Sequence, residues 1–206
     1  MPQPSENKEQ PKPGAVPEQK LPPQNMEEAL AAKNDNSIIK FLPSYEGTLP
    51  KEVAYNLVTE NGGFPVKVLT SVDKFKDIDV NDLVDHIIKK GGSYAVVEKF
   101  NDIPGLDKDR VVATLIANKK IPTSKEGILN ISGGNPGALI NKVAETYKNS
   151  EDGTVYIKLI AEHAQPGSLD KNAAEALLKG GFDYTATKLI ENFTEEARQY
   201  IQANKK

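Results

Sequence analysis

The two histidines, His86 and His163, are the residues of this chain best suited to proton transfer or metal binding. Asp82 stands four before His86, so a helix would bring one carboxylate and one imidazole to the same face. Zinc sites use three or four protein ligands, which makes that pair too small. His163 directly follows Glu162, so the two project to different sides of a helix. Cysteine is absent, which excludes disulfides, thiolate metal sites and a Cys nucleophile. No G-x-S-x-G elbow occurs, and Ser124-Lys125 and Ser168 lack a base and an orienting group at useful spacing. Gly62-Gly63, Gly91-Gly92, Gly133-Gly134 and Gly180-Gly181 invite a phosphate-loop reading, but neither the P-loop spacing nor a strand followed by G-x-G-x-x-G is present. These pairs read as helix stops and turns. Acid pairs such as Asp77 with Asp79, or Glu195 with Glu196, suit caps and exposed helix faces. The expectation is therefore no catalytic residue, no metal ligand and no cofactor.

Charge placement is the one pattern that extends beyond single elements. Lys89, Lys90, Lys119, Lys120, Lys148 and Lys179 each follow a segment predicted to be helical, while Asp79, Asp82, Asp107, Asp109 and Asp170 stand at the starts of such segments. Each set complements a local helix dipole. In a stacked array equivalent positions would also line up, so the six lysines would form a basic rim and the aspartates an acidic one. The six lysines are the expected partner-binding residues.

The elements that must position these residues follow from internal repetition. Paired apolar residues recur as Val53-Ala54 with Leu57-Val58, Leu83-Val84 with Ile87-Ile88, Val111-Val112 with Leu115-Ile116, Leu139-Ile140 with Val143-Ala144, and more loosely Ala173-Ala174 with Leu177-Leu178. The anchors at 53, 83, 111, 139 and about 174 repeat at a spacing that signals a helical array. Within a unit the i, i+1, i+4, i+5 spacing draws one apolar stripe along a helix. In the unit that starts at Asp79, that residue is the expected N-cap, Gly91-Gly92 the stop, and Ser93 the cap of a second helix ending near Pro104-Gly105. Pro65 fits a first helical turn, with Val66, Leu69, Val72 and Phe75 behind it. Thr123 and Glu126 have capping-box spacing, and Lys148–Gly153 reads as an insertion. The segment from Glu195 to Ile201 reads as a terminal amphipathic helix that caps the array.

The segment from Val72 to Asp79, and that from Tyr94 to Phe100 leading to Gly105-Leu106-Asp107, resemble a tandem repeat in uncharacterised proteins of small-genome candidate-phylum bacteria, Saccharibacteria among them. The likeness covers about residues 49–116 best. It implies a helical repeat and no activity; HEAT-like arrays are an analogy of architecture only.

Residues 1–25 are rich in Pro, Gln, Glu and Lys, and too poor in apolar residues to offset the entropy of ordering. They are expected to be a disordered tail, serving as a tether or a ligand through Pro11-Lys12-Pro13 or Leu21-Pro22-Pro23. Residues 26–206 are expected to form one helical-hairpin repeat domain. The fold class expected is all-α, a right-handed, solenoid-like stack of about six helical hairpins. With 26 basic and 29 acidic residues, the chain has no global attraction to nucleic acid. No apolar run approaches the ~20 residues of a membrane helix, and no signal-like core opens the chain, so a soluble cytoplasmic protein is expected. The functional expectation is a non-enzymatic protein–protein interaction scaffold or adaptor. The alternative is a nucleic-acid-binding repeat that uses the lysine edge. Nothing in the sequence sets the partner or the oligomeric state.

Overall fold

The computed structural model describes residues 21–58 and 63–205. The chain divides after Phe41 into two compact units. Most of the tail expected at 1–25 lies outside the described residues, and 21–24 carry neither helix nor strand.

The first unit contains α1 (Met26–Ala31) and α2 (Asp35–Phe41), which pack on each other. Asn25 caps α1 by accepting a hydrogen bond from the Glu28 amide at 2.9 Å. The Glu28 carboxylate reaches back to the amides of Gln24 and the Asn25 side chain, a reciprocal arrangement that satisfies donors at the helix start. Lys33 turns the chain with a positive φ of 49°, and the Asn34 side chain accepts from the Ser37 amide to restart it.

The second unit holds α3 (Lys51–Asn56), α4 (Pro65–Thr70), α5 (Val80–Lys89), α6 (Ser93–Lys99), α7 (Lys108–Ala117), α8 (Lys125–Ser132), α9 (Pro136–Tyr147), α10 (Glu151–Glu162), α11 (Lys171–Lys179), α12 (Asp183–Lys188) and α13 (Glu195–Asn204). Beside contacts between consecutive helices such as α9 and α10, helices also pack on the next but one. The odd-numbered helices contact in the order α3, α5, α7, α9, α11, α13, while α4 packs on α6, α6 on α8, and α10 on α12. Side-chain bonds show that α5 and α7 run parallel, because Asp82 and Asp85 meet Arg110 and Thr114 in the same order. The same holds for α7 and α9: Asp109 meets Lys142, and further along Ile116 meets Tyr147. A helix with a like neighbour on each flank must be apolar on both, which is why two adjacent residues per turn are needed. Leu83, Val84, Ile87 and Ile88 are all fully buried, as are Val111, Leu115, Ile140, Val143 and Ala144.

The entirely helical expectation is corrected by two short strands. β1 (Leu49–Pro50) and β2 (Phe75–Lys76) pair in parallel, and an isolated bridge joins Leu169 to Phe193 in the same sense. In each case the stretch entering an odd-numbered helix lies beside the stretch leaving the next even-numbered one. Leu49, Phe75, Leu169 and Phe193 are at most 4% exposed, so burial selects these residues. Two residues are too few to display strand alternation in a sequence. For the same reason the helix expected through Val72 and Phe75 ends at Thr70, gives way to a tight 3-10 turn at Val72–Lys74, and continues as β2.

Capping differs by one residue in places. Asp79, Asp107 and Asp170 cap α5, α7 and α11. Ser93 is already helical in α6, whose cap position, Gly92, offers no side chain. The cap of α8 is Ser124, not Thr123. The expected insertion is only Lys148–Ser150 as a loop; Glu151, Asp152 and Gly153 are inside α10, so the extra length is spread over two longer helices. Gly62 lies outside the described residues; Gly91, Gly133, Gly134 and Gly181 have positive φ, as turns between helices require.

Replacing Ile87, fully buried in α5, by Ala is expected to cost about 2–5 kcal/mol through lost burial and a cavity. A Cβ added at Gly153 would stand 2.6 Å from the Phe182 ring and 2.8 Å from Tyr147 Cβ. Gly153→Ala should therefore cost about 1–3 kcal/mol, whereas Val155→Ala, at a 58% exposed site on the same helix, should stay within about 0.5 kcal/mol. Urea midpoints measure all three.

Candidate functional site

Parallel packing places the C-terminal ends of successive odd-numbered helices together. Lys89 is the last residue of α5, Lys90 its cap, Lys148 the cap of α9 and Lys179 the last residue of α11. Lys119 and Lys120 follow the Asn118 cap of α7. The six are not equivalent. Lys119 forms an ion pair with Asp152 at 2.5 Å, and Lys179 one with Glu175 at 3.1 Å. Each carboxylate holds its lysine protonated above the ordinary range, chiefly through the hydrogen bond. Lys89, Lys120 and Lys148 are exposed and make no ion pair among the described residues.

The opposite ends consume most of their aspartates locally. Asp79, Asp107 and Asp170 accept from first-turn amides. Arg110 donates through Nε and Nη2 to Asp85 at 3.1 and 2.7 Å, and through Nη2 to Asp82 at 2.6 Å. These bonds raise its already high pKa. Asp109 pairs with Lys142, which holds that carboxyl below its usual range. Reading the residues one by one passed over Arg110. The signal that could have found it is the repeat itself, since Asp82 and Arg110 are 28 positions apart, about one unit.

Two tyrosines clamp the end of α7. Tyr147 on α9 donates its hydroxyl to the Ile116 carbonyl, and Tyr156 on α10 donates to the Lys119 carbonyl at 3.2 Å. The rings lie 5.6 Å apart. Lys119 itself has a positive φ of 56°, and the backbone there is held by its own turn bonds to Ile116 and Leu115 and by the tyrosines of α9 and α10. Burial, chiefly, raises both hydroxyl pKa values.

The remaining candidates are dispersed. Asp82 serves Arg110, and no bond joins it to His86. The His86 ring instead meets the Tyr55 ring edge-on at 5.1 Å, with Nε2 buried and unbonded. His163 and Ser168 line one polar cavity of about 480 Å³ with Lys125, Gln165 and Asp170. No hydrogen bond links His163 to Ser168, and Asp170 is committed to the Ala173 amide. Ser124 is occupied as a cap. Among the described residues no three His, Asp or Glu side chains gather as metal ligands, and no helix is long and apolar enough to cross a membrane.

A groove of about 470 Å³ lies between α6 and α8 and is closed on one side by the α7–α8 connection. Val97, Ile121 and Gly127 are its buried part, and Tyr94 stands at the lip, 58% exposed. Gly127 permits the close approach, since a Cβ there would meet Pro122 at 2.7 Å and Val97 at 3.0 Å. Asn130 ties the walls together by donating to the Val97 carbonyl at 3.3 Å. Lys119 and Lys120 lie on its rim. No sequence signal marked Tyr94, because one exposed aromatic among buried neighbours looks like part of the helix stripe.

Tyr147→Phe is expected to cost about 1 kcal/mol, the loss of one hydrogen bond to a helix-terminal carbonyl. Folding favours the neutral form of Tyr55, Tyr147 and Tyr156, so their contribution is complete below about pH 10 and is lost as pH rises through the raised folded values. The urea midpoint should fall on that alkaline limb, less steeply in Tyr147→Phe. No family model, curated protein or solved structure matches this chain.

Proposed function

We propose that this protein is a non-enzymatic interaction scaffold or adaptor, built as a right-handed, solenoid-like stack of helical hairpins that binds a protein partner along its lysine-bearing edge. The observation that carries the reading is the parallel run of α5, α7 and α9, with Lys148 and Lys179 lining one cavity between α9 and α11, which brings Lys89, Lys90, Lys120 and Lys148 to one set of helix ends. Cations at successive ends suit an acidic partner surface, and helix packing sets the backbone spacing from which their flexible side chains reach it. The terminal helix α13 packs on α11 and α12 and turns Glu195, Gln199, Gln202 and Lys205 to solvent, as a polar end cap does in a repeat array. The affinity with tandem-repeat proteins of candidate-phylum bacteria belongs to the same proposal, as does a cytoplasmic location.

The test is affinity capture from a lysate with the chain and with a variant carrying Lys89→Glu, Lys90→Glu, Lys119→Glu and Lys120→Glu. The variant should lose its partner at least tenfold; unchanged capture refutes a role for the edge. If the edge instead serves nucleic acid, the chain will be retained on heparin or DNA with a steep salt dependence. The scaffold reading expects elution at low salt.

A further inference from the structure

We propose that the groove between α6 and α8 is a peptide-docking site, and that its occupant is an extended segment with one bulky apolar side chain flanked by a cation and a carboxylate. This rests on the scaffold reading and deepens it.

The groove offers three things that such a segment uses. Its apolar part, formed by Val97, Ile121, Pro122 and the ring of Tyr94, can cover one large side chain, and its volume lies within the ordinary range of ligand clefts. A tyrosine at 58% exposure supplies contact area at small entropic cost, because only two torsions must be fixed. Polar groups along the walls match a peptide main chain. Asn130 donates through Nδ2 to Val97, which leaves its Oδ1 to accept from an amide. The hydroxyls of Ser93 and Thr123 line the same cleft.

Charge selects the flanks. Four ionic side chains border the groove, but two have ion-pair partners within the protein: Lys119 with Asp152, and Glu98 with Lys99 at 3.2 Å. Lys120 and Glu126 are exposed and have no ion-pair partner among the described residues. One unpaired cation and one unpaired anion on a shared rim are complementary to a segment that carries both signs, and disfavour a uniformly acidic or uniformly basic one. The two rim charges also orient the segment, since reversing it would place like charges together.

A displayed library of random seven-residue peptides, selected on the full-length chain, tests this. The expected winners share a Leu, Met or aromatic anchor with Lys or Arg on one side and Asp or Glu on the other. Tyr94→Ala should weaken the selected peptides at least tenfold, and the exchange Lys120→Glu with Glu126→Lys should reverse the preferred order of charges. All three residues are exposed, so thermal melting of each variant should match the parent and separates lost binding from lost folding. Failure to enrich any sequence, binding within twofold after Tyr94→Ala, or an unchanged charge order after the exchange each overturn the groove assignment. If lysine-edge capture persists in that event, the scaffold reading stands and only the groove falls; if capture fails as well, both fall.

Discussion

The constraint behind most of the second unit is that α5, α7, α9 and α11 each lie between two odd-numbered neighbours. One helix flank cannot be covered by its own turn or by its hairpin partner, so the next unit must supply the cover. Adjacent pairs of apolar residues, such as Val84 beside Leu83 and Ile88 beside Ile87, are the direct expression of this need. Parallel packing has an electrostatic cost, because like dipole ends come together. The chain offsets it with aspartate caps at one set of ends and lysines at the other. The bridges from Arg110 to Asp82 and Asp85, and from Lys142 to Asp109, then join neighbouring units at the acidic ends.

The same constraint explains where side chains are free to act. Residues on the flanks are used by packing, and most aspartates are used by caps and bridges. The groups left over stand at the lysine edge and on the even-numbered helices. Among the described residues of the second unit, Tyr94, Val155 and Tyr184 are the exposed large hydrophobic residues, and they lie on α6, α10 and α12. The α6–α8 groove opens where these helices are separated by the α7–α8 connection, which the two tyrosine hydroxyls hold in place from α9 and α10. Backbone bonds from Lys119 to Ile116 and from Lys120 to Leu115 close that turn from within, and the tyrosines add a coupling to the helices that follow.

Chemistry of the catalytic kind needs groups brought within hydrogen-bonding reach, and packing brings the candidates to other partners. His86 is turned against Tyr55, and Asp82 is drawn to Arg110 one unit away. Ser168 and His163 share a cavity without a bond between them. An arrangement built from pairwise helix contacts distributes these polar groups along the edges of the unit.

Periodicity, punctuated by Asp, Gly and Pro, was enough to locate the odd-numbered helices from α5 to α11, because a buried stripe at i, i+1, i+4, i+5 reads as one helix face; it misplaced the end of α4. The starts of α5, α7 and α11 were legible to within a residue for that reason. The lysine edge was legible as a set of positions, and the Glu175–Lys179 pair is a local i, i+4 contact within α11, but the pairing of Lys119 was not legible, since Asp152 reaches it only through the folded chain. The two-residue strands, the Arg110 fork, the tyrosine clamp and the groove beside Tyr94 were decided by tertiary structure. Each joins residues about one unit or more apart, or depends on a short stretch with no periodicity of its own. A local pattern records which face of a helix is buried; it does not record what arrives to bury it.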